Sequence, residues 1–363
     1  MYEEHTVAVV VPAYNEEGFV GTVIETMPSF VDRVYVIDDC STDGTWEEII
    51  RHSSSESEVE LTADAAGDDT IEGSTRAERR GDAPPLELGT GGTATDGGAM
   101  ARPTVVPIRH EENKGVGGTI KTGYVRALED GVDVTAVMAG DGQMDPDQLD
   151  RLLDPVVSGK VDYAKGNRLS GREYFEEMSN WRLFGNLMLT FLTKISSGYW
   201  GMMDPQNGYT AISREALERV DLDNLYEEYG FSNDLLVALN TNQLRIADVA
   251  MPAVYGEEQS HIEYRSFVPN LSKLLLQRFV RRLGIRYLVT DFHPLAFVYL
   301  LGAIGMGVAL AGLAGALRAR DRAESQLGQL LTTALVALVS GLCCLLAMTF
   351  DRIENDDMVV TVR

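Results

Sequence analysis

Lysine is scarce in this chain. Only 6 of its 31 basic residues are Lys, against 55 Asp and Glu, and the formal net charge is -24. A surface this acidic repels nucleic acid, so no nucleic-acid partner is expected. Many carboxylates with few lysines suit a high-salt cytoplasm, where the carboxylates stay hydrated, so a halophilic protein is expected. Cysteine is scarce too. Cys40, Cys343 and Cys344, two of them adjacent in an apolar run, form neither a disulfide framework nor a zinc site. The opening Met1-Tyr2-Glu3-Glu4-His5 lacks an apolar core and leads straight into a strand, so no signal peptide is expected. Residues 53–102 lack any hydrophobic period and hold 11 acidic and 4 basic residues. Such a segment cannot bury enough apolar surface to offset its ordering entropy. It is expected to be an acidic, disordered insertion: a tolerated surface loop, with a binding tail as the alternative.

Elsewhere, apolar runs and helical periods alternate. Thr6-Val7-Ala8-Val9-Val10-Val11-Pro12 has the continuous apolar character of a buried parallel strand. A helix is expected from Glu16 to Met27, with Asn15 as its cap, then a strand at Val34–Ile37 ending in Asp38-Asp39, and a short helix from Thr45 to Arg51. Past the insertion, Thr104–Ile108 and Val132–Met138 read as strands, and Gly117–Glu129 and Gln148–Val157 as helices. Tyr163–Arg168 is a further strand and turn, Trp181–Ile195 a helix, Tyr209–Ile212 a strand and Ser232–Leu239 a helix. This alternation predicts an α/β fold: a mostly parallel sheet with right-handed crossovers and helices on both faces. The 363 residues suffice for one large α/β domain plus something smaller.

The smaller part lies at the C-terminus. Lys273, Arg278, Arg281, Arg282 and Arg286 interleave with Leu274, Leu275, Leu276, Phe279, Val280, Leu283 and Ile285, a basic amphipathic pattern suited to an anionic membrane surface. Pro294–Leu317 and Leu327–Phe350 are each uncharged and long enough to span a bilayer core of about 30 Å. The expected organisation is a domain at 1–260, juxtamembrane basic helices at 261–293, a two-helix transmembrane hairpin at 294–350 and a tail at 351–363. The positive-inside rule places the first domain and the tail in the cytoplasm, making a multi-pass protein of the cell membrane. Ala303, Gly307, Ala311 and Gly315 repeat every four residues. That face suits close packing, within the hairpin or between protomers of a homo-oligomer.

The chemistry gathers at strand ends. Val134-Thr135-Ala136-Val137-Met138 is followed by Ala139-Gly140-Asp141-Gly142-Gln143, which puts Asp141 and Gln143 at the carboxyl edge of the sheet, where open α/β folds bind ligands. A carboxylate and an amide oxygen two residues apart suit a hard divalent cation shared with substrate phosphates, and hence a nucleotide-diphosphate substrate. The plain alternative is an Asp- and Gly-rich surface turn.

Pro12-Ala13-Tyr14-Asn15-Glu16, Asp38-Asp39-Cys40-Ser41-Thr42-Asp43-Gly44-Thr45, Asn113-Lys114-Gly115 and Asp141-Gly142-Gln143 occur in that order. Together they resemble family-2 glycosyltransferases of the GT-A fold, nearest to the dolichyl- or polyprenyl-phosphate mannose and glucose synthases. The resemblance covers roughly residues 5–260 without the insertion. It implies that Pro12, Tyr14, Asn15, Glu16, Asp39 and Lys114, with Asp141, bind the nucleotide sugar, a GDP- or UDP-hexose. Asp38 would orient the loop, and Lys114 could equally be a solvated lysine. Asp141 and Gln143 would hold Mg²⁺ or Mn²⁺. Relatives often have Asp-x-Asp here, but the first position in this chain is Ala139, so one carboxylate is missing. The N–H groups of Gly117-Gly118 could assist with anions.

Arg168 and Arg182 would bind the acceptor's lipid phosphate, since guanidinium stays charged and bonds two oxygens at once; surface ion pairing is the alternative for each. Asp204, in Asp204-Pro205-Gln206-Asn207-Gly208-Tyr209, would face the sugar or the acceptor. Asp234 sits where hydroxyl-using relatives carry a catalytic base, although a phosphate acceptor needs little base help. Asp141, Asp204 and Asp234 are therefore the catalytic candidates. The resemblance implies an inverting, membrane-bound transferase that moves a hexose to dolichyl or polyprenyl phosphate. Two other readings remain: a transferase acting on a hydroxyl of a lipid-linked saccharide, and an inactive membrane scaffold.

Overall fold

In the computed structural model, residues 1–53, 60–62, 102–169, 180–252, 264–318 and 323–363 are described. Nine strands form one sheet: β1 (Val7–Ala13), β2 (Arg33–Asp38), β3 (Glu60–Thr62), β4 (Thr104–His110), β5 (Val134–Val137), β6 (Tyr163–Asn167), β7 (Thr210–Ser213), β8 (Ile246–Ala250) and β9 (Val359–Val362). Their spatial order is β3-β4-β2-β1-β5-β7-β6-β8-β9. All neighbouring pairs are parallel except those of β7, which runs antiparallel to β5 and to β6. This is the mostly parallel α/β sheet of the GT-A type. The chain moves outward from β1 to β2 and β4 on one side and returns to β5 on the other. The β1/β5 boundary is thus the topological switch point, where such sheets leave a crevice at their carboxyl ends.

The helices include α1 (Val20–Glu25), α2 (Thr45–His52), α3 (Gly115–Glu129), α4 (Leu149–Val157), α5 (Asn180–Ser197), α6 (Arg214–Arg219) and α7 (Phe231–Thr241). They cover both faces of the sheet. Val7, Val9 and Val11 pack into one buried cluster with Leu149, Leu152 and Leu153 of α4, while Ala8 and Val10 pack into another with Tyr124 of α3. Successive strand residues point to opposite faces, so a strand buried on both sides reads as the unbroken valine run seen here.

Three expectations are corrected. The first helix begins only at Val20, not Glu16, and Phe19 rather than Asn15 precedes it. Asn15 has a left-handed backbone, φ 57°, and its side-chain oxygen accepts from the Thr42 N–H, tying two loops together. Within the stretch expected to be disordered, Glu60–Thr62 pairs in parallel with β4; residues 54–59 and 63–101 lie outside the described residues. The C-terminal tail returns to the sheet as β9, beside β8.

Between β8 and β9 lie α8 (Tyr264–Arg282), a π-helical segment (Leu283–Thr290), α9 (Leu295–Arg318) and α10 (Ala323–Glu354). Two stretches of these, Leu295–Arg318 and Leu327–Glu354, are long and apolar enough to cross a membrane, and most of their surface is uncovered. They run antiparallel: a Cβ on Gly302 would meet Cys344, one on Gly305 Ser340, and one on Gly312 Thr333. The packed face is therefore Gly302, Gly305, Ala309, Gly312 and Ala316. Of the face expected from the four-residue repeat, Ala303, Gly307 and Ala311 are exposed and only Gly315 approaches the partner helix, at Gln329. An α-helix turns by 3.6 residues, so a seam follows alternating steps of three and four and a strict repeat of four drifts off it.

The basic helix also differs from its reading. Arg278 pairs with Asp234, Arg282 with Asp351, and Arg286 donates to Asn240, so these three guanidinium groups turn inward. Lys273 and Arg281 remain exposed.

Candidate active site

Past its last ladder partner, β5 continues alongside β1. The Met138 N–H donates to the Val10 carbonyl and the Gly140 N–H to the Pro12 carbonyl at 3.1 Å. A Cβ on Gly140 would stand 3.1 Å from that same Pro12 oxygen, so glycine lets the Asp141 turn sit directly on the Pro12 turn. Gly142 follows with φ 71°, and the Gln143 N–H closes the turn on the Asp141 carboxylate at 3.0 Å. Asp141 and Gln143 face a cavity of about 170 Å³, also lined by Asp145, Arg168, Gln206 and Tyr209. Burial pushes the Asp141 carboxyl above its ordinary value; the Gln143 N–H and the Arg168 charge offset this only in part.

Arg168, which follows β6, also lines the cavity, and Asp204, which precedes β7, lies behind it. Arg168 grips Asp204 with Nε at 2.8 Å and Nη2 at 3.1 Å, and its backbone N–H donates to the same carboxylate. Asp204 is buried with φ 46°, a left-handed conformation uncommon for a residue with a side chain. Burial raises its carboxyl, but the hydrogen bonds and charge of Arg168, with Lys165 behind, outweigh that and hold it below the usual range. Arg168 and Asp141 thus line one cavity, whereas Asp204, expected to face the sugar or the acceptor, is buried behind Arg168 and does not line it.

The other residues expected to bind the nucleotide sit at the end of β1 or in the loops after β1, β2 and β4. Tyr14 leaves its ring about half exposed. The Asn15 N–H donates to Ser41 and the Glu16 N–H to Thr45, which laces the β1 and β2 loops together. Asp39, expected to meet base or ribose, is buried, and its carboxylate accepts from the N–H groups of Lys114 and Gly115, both at 2.9 Å, and contacts His110 Nδ1 at 2.7 Å. With these three contacts it anchors the β4–α3 loop. Asp38 receives the Ser41 N–H and an ion pair from Arg109, the loop-orienting role read for it. The Gly117 and Gly118 N–H groups both donate to the Glu227 carbonyl, so they are committed and do not await an anion.

Asp234 does not line the Asp141 cavity. On α7 it turns toward α8, accepting from Arg278 at 2.7 Å and from the Tyr226 N–H at 2.9 Å, and it lines a smaller cavity with Asp221, Asn224 and Arg281. Its neighbour Asn233 accepts from Gln206 of the site loop. One helical step is about 100°, which separates the two directions. The Arg182 side chain lies outside the described residues. The sequence reading missed Gln206 and Tyr209 as lining residues. It also missed Lys165, a charged residue placed in a buried strand, which was the available signal.

A divalent cation can be judged from the donor set. Asp141, Gln143 and Asp145 line one cavity with oxygen donors. Among the described residues no group of three or more His, Cys, Asp or Glu could hold a metal by itself. One or two carboxylates with room for substrate oxygens match a hard cation shared with phosphates, so the residues fit Mg²⁺ or Mn²⁺ in that mode.

The open α/β sheet brings carboxylate and guanidinium groups together at its carboxyl edge. The chain belongs to glycosyl transferase family 2, whose profile matches residues 8–65 and 98–221. The unmatched gap falls inside the acidic insertion. The UDP-N-acetylglucosamine–dolichyl-phosphate N-acetylglucosaminyltransferase of Methanococcus voltae is 26% identical over 249 residues, 68% of this chain and 85% of that protein. The polyprenol monophosphomannose synthase of Mycolicibacterium smegmatis is 32% identical over 177 residues, 47% of this chain and 63% of that protein. The undecaprenyl-phosphate mannosyltransferase of Micrococcus luteus is 30% identical over 175 residues, 47% of this chain and 68% of that protein.

Proposed function

We propose that this chain moves a hexose from a nucleotide-diphosphate sugar to dolichyl or polyprenyl phosphate, with inversion, at the cytoplasmic face of the cell membrane. The observation that carries this reading is the cavity that the Asp141 turn shares with Arg168, itself held by Asp204, in a chain that also has two helices long and apolar enough to cross a bilayer. In the reaction a phosphate oxygen of the acceptor attacks the anomeric carbon. The bond from that carbon to the diphosphate oxygen breaks, and the nucleoside diphosphate leaves with the electron pair. Arg168 orients the attacking phosphate, and Asp204 holds Arg168 in place. Tyr14 and the Pro12 turn seat the nucleotide. A divalent cation on Asp141 and Gln143 would neutralise charge on the leaving diphosphate.

An anionic phosphate needs no general base, which agrees with the position of Asp234 outside this cavity. The named activities of the relatives favour the same acceptor class, with UDP-N-acetylglucosamine among the donors to be tried. The charge of -24 favours assay in high salt. The test uses membranes containing the protein, dolichyl phosphate, Mg²⁺ or Mn²⁺ and a panel of labelled UDP- and GDP-sugars. Label should move into the organic phase from one donor and stay in water with Asp141→Ala. Donor binding with no transfer to the lipid phosphate would turn the reading toward a hydroxyl acceptor, and no donor binding would turn it toward a scaffold.

A further inference from the structure

The acceptor wall of the site rests on a buried polar clamp that reaches the C-terminal strand. Lys165 on β6 is 1% exposed, and its Nζ donates to the Met203 carbonyl at 2.5 Å, to the Gly166 carbonyl at 3.0 Å and to Asp248 at 3.0 Å. Asp248 on β8 is 2% exposed and also accepts from Asn167 Nδ2 at 2.6 Å and from the Met203 N–H at 3.3 Å. Both backbone polar groups of Met203 are therefore held by this one ion pair. Met203 immediately precedes Asp204, whose left-handed backbone needs outside support and whose carboxylate fixes Arg168.

Asp248 lies opposite Thr361 in the β8–β9 ladder. Val360 and Val362 of β9 pack on one face of the core, and Met358 and Val359 on the other. Without β9, β8 would become the sheet edge, and water would reach the strand that carries Asp248. A buried ion pair keeps its geometry only while it is shielded and fully hydrogen-bonded. The position of β9 is set in turn by α10. Just before the strand, Asn355 receives the Asn240 amide at 2.9 Å and donates to Tyr287, and Asp351 binds Arg282.

We propose that Lys165 and Asp248 are positioning residues for the acceptor-binding arm, and that the C-terminal strand, delivered by the second apolar helix, keeps them in place. The membrane hairpin thereby sets the geometry of Arg168 and Asp204 as well as anchoring the domain. This rests on the reading of Arg168 as the acceptor-phosphate ligand.

The test uses the full-length protein in lipid bilayers and three variants. One is the isosteric Asp248→Asn, one is a chain ending at Met358, and one is Thr361→Val, which keeps the backbone ladder. Hydrogen exchange is read over residues 203–209 and over 7–15, alongside KM for donor and for dolichyl phosphate. Asp248→Asn and the truncation should speed exchange over 203–209 and raise the acceptor KM by about tenfold or more, with the donor KM and the 7–15 exchange unchanged. Thr361→Val should behave as wild type. Unchanged exchange over 203–209 in both altered proteins overturns the proposal, and so does faster exchange with an unchanged acceptor KM. Faster exchange in a protein whose wild type transfers nothing to dolichyl phosphate supports the clamp and removes the acceptor reading instead.

Discussion

Arg168 and Asp204 meet through two parallel N–H···O contacts, at 2.8 and 3.1 Å, beside the cavity that Arg168 and Asp141 line. Bidentate geometry makes this one of the stronger polar contacts available to a partly exposed arginine. It also means that an incoming phosphate finds a guanidinium already oriented. Arg168→Lys keeps the charge and loses the fork, so the acceptor KM should rise by about tenfold while the donor KM stays put. Steady-state kinetics with each substrate varied in turn checks this.

The same pair sets a pH dependence. The folded-state carboxyl of Asp204 lies below its ordinary value of 3.8. A depressed carboxyl contributes stability that is present above the unfolded value and is lost as pH falls through the folded one. Unfolding followed from pH 7 down to pH 3 should therefore show wild type losing stability in the acid range below about 4. Asp204→Asn should start less stable at neutral pH and show a shallower acid loss. A variant as steep as wild type would remove Asp204 from the acid transition.

On the proposed reading, Asp141 is the residue on which turnover depends most directly. Asp141→Ala should reduce transfer by about 10²-fold or more, in line with the loss of a group that stabilises developing charge. Chelation of divalent cations should give a similar loss in wild type, reversed by added Mg²⁺ or Mn²⁺. Substituting Ala139→Asp, which restores the Asp-x-Asp pattern, should tighten the apparent metal dependence. A titration of activity against free metal for the three proteins measures all of this.

Much of this site could be read from the chain because it depends on local rules. Valine runs gave the strands, and Asp-Gly turns after them placed Asp141 at the carboxyl edge. What escaped was direction and distance. Asp234 and Asn233 are neighbours in sequence, yet only Asn233 contacts the site loop, and no spacing argument chooses between adjacent helical positions without knowing what packs against each. The pairing of β8 with β9 joins segments separated by the whole hairpin, and Val359-Val360-Thr361-Val362 read as a tail because its partner is so remote. Asn15 looked like a helix cap by residue type, but its left-handed backbone and its bond to Thr42 commit it to joining two loops.

The helix hairpin gives a paired contrast between two glycines. A Cβ on Gly302 would stand 3.1 Å from the Ser340 carbonyl and 3.2 Å from the Cys344 nitrogen, main-chain atoms that cannot turn aside. Gly307 has nothing within 4 Å of the same position. Gly302→Val should force the helices apart at a cost of about 1–3 kcal/mol, typical of overpacking, whereas Gly307→Val should leave the thermal midpoint unchanged. If Gly307→Val alone were damaging, the face of Ala303, Gly307 and Ala311 would be packing against a second copy.

Arg282 and Asp351 are both fully buried where the hairpin joins the catalytic domain, with Nη2 to Oδ2 at 2.9 Å and Nη1 to Oδ1 at 3.0 Å. Arg282 also donates to the Ser196 and Ile195 carbonyls at the end of α5, and Tyr287 donates to Asp351 at 2.6 Å. Burial alone would lower the arginine's proton affinity; Asp351 more than reverses this and holds it above its ordinary value. Removing one partner leaves the other charge buried and uncompensated, which costs about 3–5 kcal/mol, whereas replacing both by apolar groups of similar volume is often neutral. Asp351→Leu should therefore lower the thermal midpoint of the full-length protein in detergent sharply, and adding Arg282→Met should recover much of that loss. Recovery separates a charge penalty from a packing one. Without recovery, the main-chain carbonyls of α5 would be the partners that matter, because Arg282→Met also strips Ser196 and Ile195 of their donors.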